Sequence, residues 1–465
     1  MDMVAIHLLT LVGFTRIAEL FPVLAPLHLG KLAFALGGLT LAVSASRITP
    51  PVVWRTPLLR QVLLLLLLAA LSVPFSVWRA GALESFQGVA KTVFIFVALA
   101  VMSRRDGGAM LRLALMIGVS LLSGMMLVEK GTGRAFVSAT YDANDLALLF
   151  AMFLPVLGAE GLAGRWVVRL AAWGAAAMAL VAMTMTQSRG GLVALAVMGL
   201  HMVLASRRRL PLLALLLLAG GIFYASADAS FWDRFAILGD ADADYNVSAR
   251  TGRLELWKSG LAMMLSNPLL GVGVGQFAPA NFMYGNGAYL TAHNTYIQVA
   301  TEMGLAALVV YCSLLLTVAR LADRGISPSR PSHPSGTPPE TSSEALPEAP
   351  PGHEDPHARA ERLRWLGVRY ALTAFMTGIC FVSEAFSMSF FCLLALVAAM
   401  AVRLEEREAA SGIADEPQTP APEPYRRGRG RGGAGNVRPG SHNAGTTLGR
   451  RRSPAHAAIH DPSGR

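Results

Sequence analysis

Long apolar runs separated by short basic loops constrain this chain more than any other feature of its sequence. Runs such as 62–71, 93–102 and 210–220 extend into longer apolar segments. A helix needs about 20 such residues to cross a hydrocarbon core of about 30 Å. Composition agrees: 53% of the 465 residues are hydrophobic and 15% are charged, where a soluble domain carries about a quarter charged residues. Mean hydropathy is +0.47. The expected fold class is therefore an all-α integral membrane protein with many spans.

About twelve spans are expected, at 3–20, 28–46, 61–77, 86–102, 109–128, 144–161, 169–186, 190–205, 210–227, 296–319, 365–382 and 386–402. Basic residues in short loops mark the cytoplasmic side. Arg47, Arg55 and Arg60, then Arg104 and Arg105, Arg165 and Arg169, Arg207 to Arg209, and Arg320 and Arg324 all fall on one side under this count. Both termini are then cytoplasmic. The N-terminus reads as a retained first span, because no small-residue cleavage site follows a short apolar core.

The net charge of +10 argues against nucleic acid as a partner, since the basic residues sit in short loops and in the C-terminal tail. Cys312, Cys380 and Cys392 lie in apolar segments and read as packing residues. Three stretches read as non-membrane: an outward-facing loop at 228–292, a Pro/Ser/Glu-rich cytoplasmic linker at 322–361, and a basic tail at 404–465 that is either a solvated, functionally silent segment or one that touches anionic membrane lipids. They divide the chain into a membrane core at 1–320, the linker, a C-terminal transmembrane hairpin at 365–402 and the tail. His353 and His357 in the linker, and Asp240, Asp242 and Asp244 in the outer loop, read as solvated rather than metal-binding.

Polar groups at outward span ends carry the chemistry. In "TQSRGG" (186–191), Arg189 sits in a short outward turn, against the positive-inside trend. In "SARTGRLELWKSGL" (248–261) and beyond, Leu254, Trp257, Leu261 and Leu265 recur at helical spacing, predicting an interfacial helix anchored by Trp257, with Arg250, Arg253 and Lys258 at the surface. Asn267 and Pro268 end it, and Gly271, Gly273 and Gly275 predict a tight turn. A dinucleotide fingerprint requires a preceding strand, which is missing here. His293 and Asn294 come just before the next span, with Glu302 and Gly304 deeper.

Arginine's planar fork binds phosphate oxygens bidentately and stays charged, and a neutral imidazole accepts a proton near pH 7. Arginines and a histidine on one face thus suggest a polyprenyl-diphosphate leaving group, a hydroxyl nucleophile, and no cofactor or metal.

The segments "TYDANDLALLFAMFLP", "TQSRGGLVAL", "GRLELWKSGL…NPLLGVGVGQF" and "AHNTYIQVATEMGL" together resemble the O-antigen ligase and polymerase superfamily of bacterial envelope glycosyltransferases, in order across about 140–320. The resemblance implies a GT-C-like helical fold in the bacterial inner membrane and a periplasmic active site. It also implies transfer of a glycan from undecaprenyl diphosphate without a metal. Arg189 and Arg253 would then hold the diphosphate, with Arg250 as the rival to Arg253, and His293 would lie at the acceptor hydroxyl. Trp257, Asn294, Asn144 and Asp145 are expected beside the substrate. A helix N-cap is the structural alternative for Asn144 and Asp145. Three functions compete: a ligase with a lipid A–core acceptor, a polymerase with a lipid-linked glycan acceptor, and a transporter or flippase. Transporters carry more intramembrane charge than these spans do, where Glu302 and Glu384 are the exceptions. The linker and the basic tail are not features of the family.

Overall fold

The computed structural model describes residues 2–45, 56–128, 141–227, 229, 232, 249, 251–327 and 355–412. Among them there is no β-strand. The helices are α1 (Asp2–Phe14), α2 (Ile17–Leu20), α3 (Leu29–Ala45), α4 (Pro57–Ser72), α5 (Arg79–Ser103), α6 (Ala109–Val128), α7 (Ala143–Ala163), α8 (Trp166–Met185), α9 (Arg189–Ala205), α10 (Arg209–Ser226), α11 (Arg253–Ser266), α12 (Phe277–Tyr284), α13 (Thr295–Ile326), α14 (Pro356–Gly378) and α15 (Met388–Gly412).

Every expected span has a helix at its position. Seven of the described helices are long and apolar enough to cross a membrane, and α1, α3, α4 and α9 are shorter apolar helices. The chain is a multi-pass membrane protein. Helix α7 forms its centre, with 78% of its apolar window buried, whereas α10 has 6% buried. Leu210, Leu217 and Leu218 of α10 are accordingly exposed, as lipid-facing side chains are. Around α7 pack α8, α9 and α14. A Cβ at Gly367 of α14 would press on Ala159 and the Pro155 carbonyl of α7, so this glycine lets the two helices pack closely.

The helix ends gather at two poles. At one, Arg105 pairs with Asp2, Arg369 with Asp323, Arg324 with Glu408 and Arg407 with Glu361. There also the buried Glu160 accepts from Arg112 Nε at 2.6 Å and Arg364 Nε at 2.8 Å, while Arg112 Nη1 donates to the Gly107 carbonyl at 2.8 Å. This is the basic pole. The opposite pole collects the C-terminal ends of α1, α4, α8, α10 and α14 and the N-terminal ends of α5, α7, α9, α13 and α15.

Several boundaries differ from expectation. The span expected at 3–20 stops at Phe14, because Arg16 takes a left-handed conformation (φ 55°) before the short α2. Helix α13 runs on to Ile326 and α14 begins at Pro356, so both ends of the expected linker, and His357, are helical. Asp355 caps α14, its side chain accepting from the His357 and Ala358 amides. Residues 404–412 of the expected tail continue α15. Arg250, Asp240, Asp242, Asp244 and His353 lie outside the described residues.

Candidate functional site

The opposite pole is built around the loop 379–387 between α14 and α15. The start of α13 is fastened to it three times. The Thr295 amide donates to the Ile379 carbonyl (2.8 Å), Thr295 Oγ1 donates to the Val382 carbonyl (2.8 Å), and the Glu384 amide donates to Thr295 Oγ1 (2.9 Å). The start of α9 meets the same loop, since a Cβ at Gly190 would lie 2.8 Å from Phe381 Cβ. Arg189, one residue before Gly190, and His293, two residues before Thr295, thereby flank one loop. Both are half-buried. His293 holds a positive φ of 46°, a conformation few non-glycine residues adopt, so its backbone is held by the contacts on either side.

The start of α7 joins this cluster. Asp142 caps α7 by accepting from the Asn144 and Asp145 amides, and the Asp145 carboxylate accepts in return from the Asp142 amide, forming a capping box. Asn144 Oδ1 accepts from Ser188 Oγ at 2.9 Å. Ser188 in turn caps α9, accepting from the Gly191 amide at 3.2 Å. Asp145 therefore has a capping role, and Asn144 couples α7 to the arginine turn.

Helix α11 is tied to the segment before His293. Trp257 Nε1 donates to the Ala292 carbonyl at 3.1 Å, so this indole fixes protein to protein instead of serving as a free interfacial anchor. Leu256, Gly260 and Met263 form the buried face, whereas Leu254, Leu261 and Leu265 are exposed, an apolar stripe suited to lipid. Arg253 occupies the first position of α11, half-buried. Asn294 is the N-cap of α13, its Oδ1 accepting from the Ile297 amide at 3.1 Å.

The glycine turn has a clear physical role. The Glu302 carboxylate accepts from the Gly275 amide at 2.9 Å and the Phe277 amide at 3.3 Å, while the Val272 and Gly273 amides donate to the Thr301 and Glu302 carbonyls. Helix α13 breaks at Gly304 (φ 82°, ψ 175°), and the Leu305 amide donates to the Pro268 carbonyl instead. A Cβ at Gly304 would overlap the Leu269 carbonyl, and one at Gly271 would overlap the Glu302 backbone. Only glycine fits such an approach of two backbones. The buried Glu302 is thus the receptor for amides that a membrane could not solvate.

Behind these elements lies a cavity of about 260 Å³, whose lining includes Arg16, Tyr141, Gln298, Glu302, Ser383 and Glu384. Burial, and then the neighbouring Asp145 carboxylate, hold the Glu384 carboxyl well above the usual carboxylate range. Tyr141 donates to the Phe14 carbonyl at 2.8 Å, and burial raises its hydroxyl above the ordinary tyrosine value. Sequence reasoning passes over Arg16, Tyr141, Gln298 and Ser383. A charge inside the span expected at 3–20 is the available signal for Arg16.

Residues 174–312 match the family described as O-antigen ligase. The match spans under a third of the chain and supports a likeness to the O-antigen ligase and polymerase superfamily. It takes in Arg189, Arg253, His293 and the glycine turn, while Arg16, Asn144, Asp145 and Glu384 lie outside it. No curated protein matches the chain.

Proposed function

We propose that this chain is an O-antigen ligase: it transfers a glycan from undecaprenyl diphosphate to a lipid A–core acceptor, at the periplasmic face of the inner membrane. The observation that carries this reading is the loop 379–387, to which both the Arg189 turn and the helix start after His293 are fastened. The basic pole is cytoplasmic by the positive-inside rule, which makes the pole with Arg189, Arg253 and His293 periplasmic.

The acceptor hydroxyl oxygen attacks the anomeric carbon as the bond from that carbon to the diphosphate oxygen breaks. The proton passes from the hydroxyl to the His293 imidazole and on to solvent. Undecaprenyl diphosphate departs with the bonding pair. Arg189 and Arg253 stabilise the charge that develops on it, and such preorganised electrostatic help is often the greatest single contribution to catalysis. His293 serves as general base, for which an imidazole with an unperturbed pKa of about 6.5 is suited.

Deleting the gene and analysing surface and lipid-linked glycans tests the reading. A ligase leaves uncapped lipid A–core and accumulated long lipid-linked polymer. Accumulated single repeats instead identify a polymerase, and unchanged glycans reject glycosyl transfer altogether.

A further inference from the structure

The cavity differs in charge from the arginine-bearing surface next to it. Among its described lining residues Arg16 is the only cation, and Arg16 Nη1 already pairs with Glu19 at 3.3 Å. Its acids are Glu302 and Glu384. A diphosphate requires a surplus of cations, which this lining does not offer. Hydroxyl groups, in contrast, find hydrogen-bonding partners here.

Two of those partners are vacant toward the protein. Gln298 Nε2 donates to both Glu302 oxygens at 3.5 Å, which turns the amide so that Oε1 points away from the carboxylate. Gln298 Oε1 and Ser383 Oγ are both buried without a hydrogen-bond partner in the protein. Buried polar atoms are rarely left so, and both belong to residues lining one cavity.

The position of the cavity fits the same role. The Glu384 amide bonds Thr295 Oγ1, two residues after His293. The Glu384 carboxyl also feels the charge of the neighbouring Asp145, next to the Asn144 that receives Ser188 beside Arg189. The cavity's Glu384 is thus linked to the segments that carry both candidate reacting groups, Arg189 and His293 themselves not being among the lining residues. At about 260 Å³ it falls below the roughly 300–1,000 Å³ of pockets for drug-sized ligands, a size for one sugar ring.

We propose that this cavity is the acceptor subsite, taking one uncharged, hydroxyl-bearing sugar ring, with Gln298 and Ser383 as its specificity-determining contacts. The proposal rests on the glycosyl-transfer reading of Arg189, Arg253 and His293. The acceptor subsite draws on both sides of the segment boundary: Gln298 and Glu302 lie inside 174–312, and Arg16, Tyr141, Ser383 and Glu384 lie outside it.

The test uses the full-length protein in lipid nanodiscs, with undecaprenyl-diphosphate-linked glycan as donor and lipid A–core as titrated acceptor. Gln298→Leu and Ser383→Ala each raise the acceptor KM by about tenfold, the scale of one lost buried hydrogen bond, and leave the donor KM within about twofold. Ser383→Ala removes one oxygen only, so it keeps the test sharp if Gln298→Leu folds poorly. An unchanged acceptor KM in both variants, or a rise in donor KM alone, overturns the acceptor assignment while the transfer reading stands. A wild type that transfers nothing overturns both.

Discussion

The two poles of the bundle differ in how their buried charges are paired and in where backbone strain lies. At the basic pole charges are consumed by one another: Glu160 takes two arginines, and Arg112 also satisfies a backbone carbonyl. At the opposite pole Gln298 Oε1 and Ser383 Oγ have no protein partner. Backbone strain lies there too. Arg16, His28, Gln187 and His293, the described non-glycine residues with positive φ, all sit at or beside the opposite pole. Backbone strain is often stored where a protein binds and reacts, whereas buried polar atoms without a partner occur at both poles, Ser103 Oγ beside Arg104 among them. In the proposed division, the basic pole holds the bundle together and the opposite pole receives substrate.

This contrast is most exposed to challenge at the arginines. Arg189→Ala or Arg253→Ala should reduce transfer by at least ~10²–10³-fold with normal membrane abundance, measured by glycan transfer per mole of folded protein. His293→Ala should slow transfer by about 10²–10⁴-fold in the same assay. Retained activity in any of them removes that residue's role.

At the basic pole the expected effect is on stability. Glu160→Ala leaves Arg112 and Arg364 without their shared carboxylate, and breaking a buried pair costs about 3–5 kcal/mol. Thermal unfolding should show a lowered Tm and low yield, while the folded fraction keeps its acceptor and donor KM. A selective loss of transfer without lost stability would erase the distinction between the poles.

Gly304→Ala probes the same distinction from the other side. The positive φ and the overlap with the Leu269 carbonyl should cost about 1–3 kcal/mol and loosen the glycine turn, lowering both Tm and transfer. The smallest effect is expected at the C-terminus. Truncation after Gly412, the end of α15, should leave transfer per mole unchanged, and lost activity would assign the tail a part in the reaction.

Much of this arrangement is legible in the sequence because lipid imposes simple rules. Apolar run lengths locate the helices, and loop arginines separate the poles. The misplaced Arg189 points to the active pole without any geometry. Other features depend on tertiary contacts that no local pattern encodes. The interruption at Thr15 and Arg16 lies inside an apolar run, so hydropathy joins what the backbone separates. Glu302 reads as an unexplained intramembrane charge, because its partners, the amides of Gly275 and Phe277, lie 27 and 25 residues away. Trp257 and Asn294 are aromatic and polar groups of the kind that contact substrate, and the fold adds bonds no local pattern encodes: Trp257 Nε1 to the Ala292 carbonyl and the Ile297 amide to Asn294 Oδ1. The cavity is hidden altogether, since Arg16, Tyr141, Gln298 and Glu384 meet only in the fold.

The decisive experiment is photo-crosslinking with a diazirine-bearing undecaprenyl diphosphate, followed by peptide mapping of the full-length protein. Adducts on the segments 186–191 and 251–258, lost in Arg189→Ala, are the predicted result. Adducts confined to the basic pole, around Arg105, Glu160 and Arg364, would contradict it.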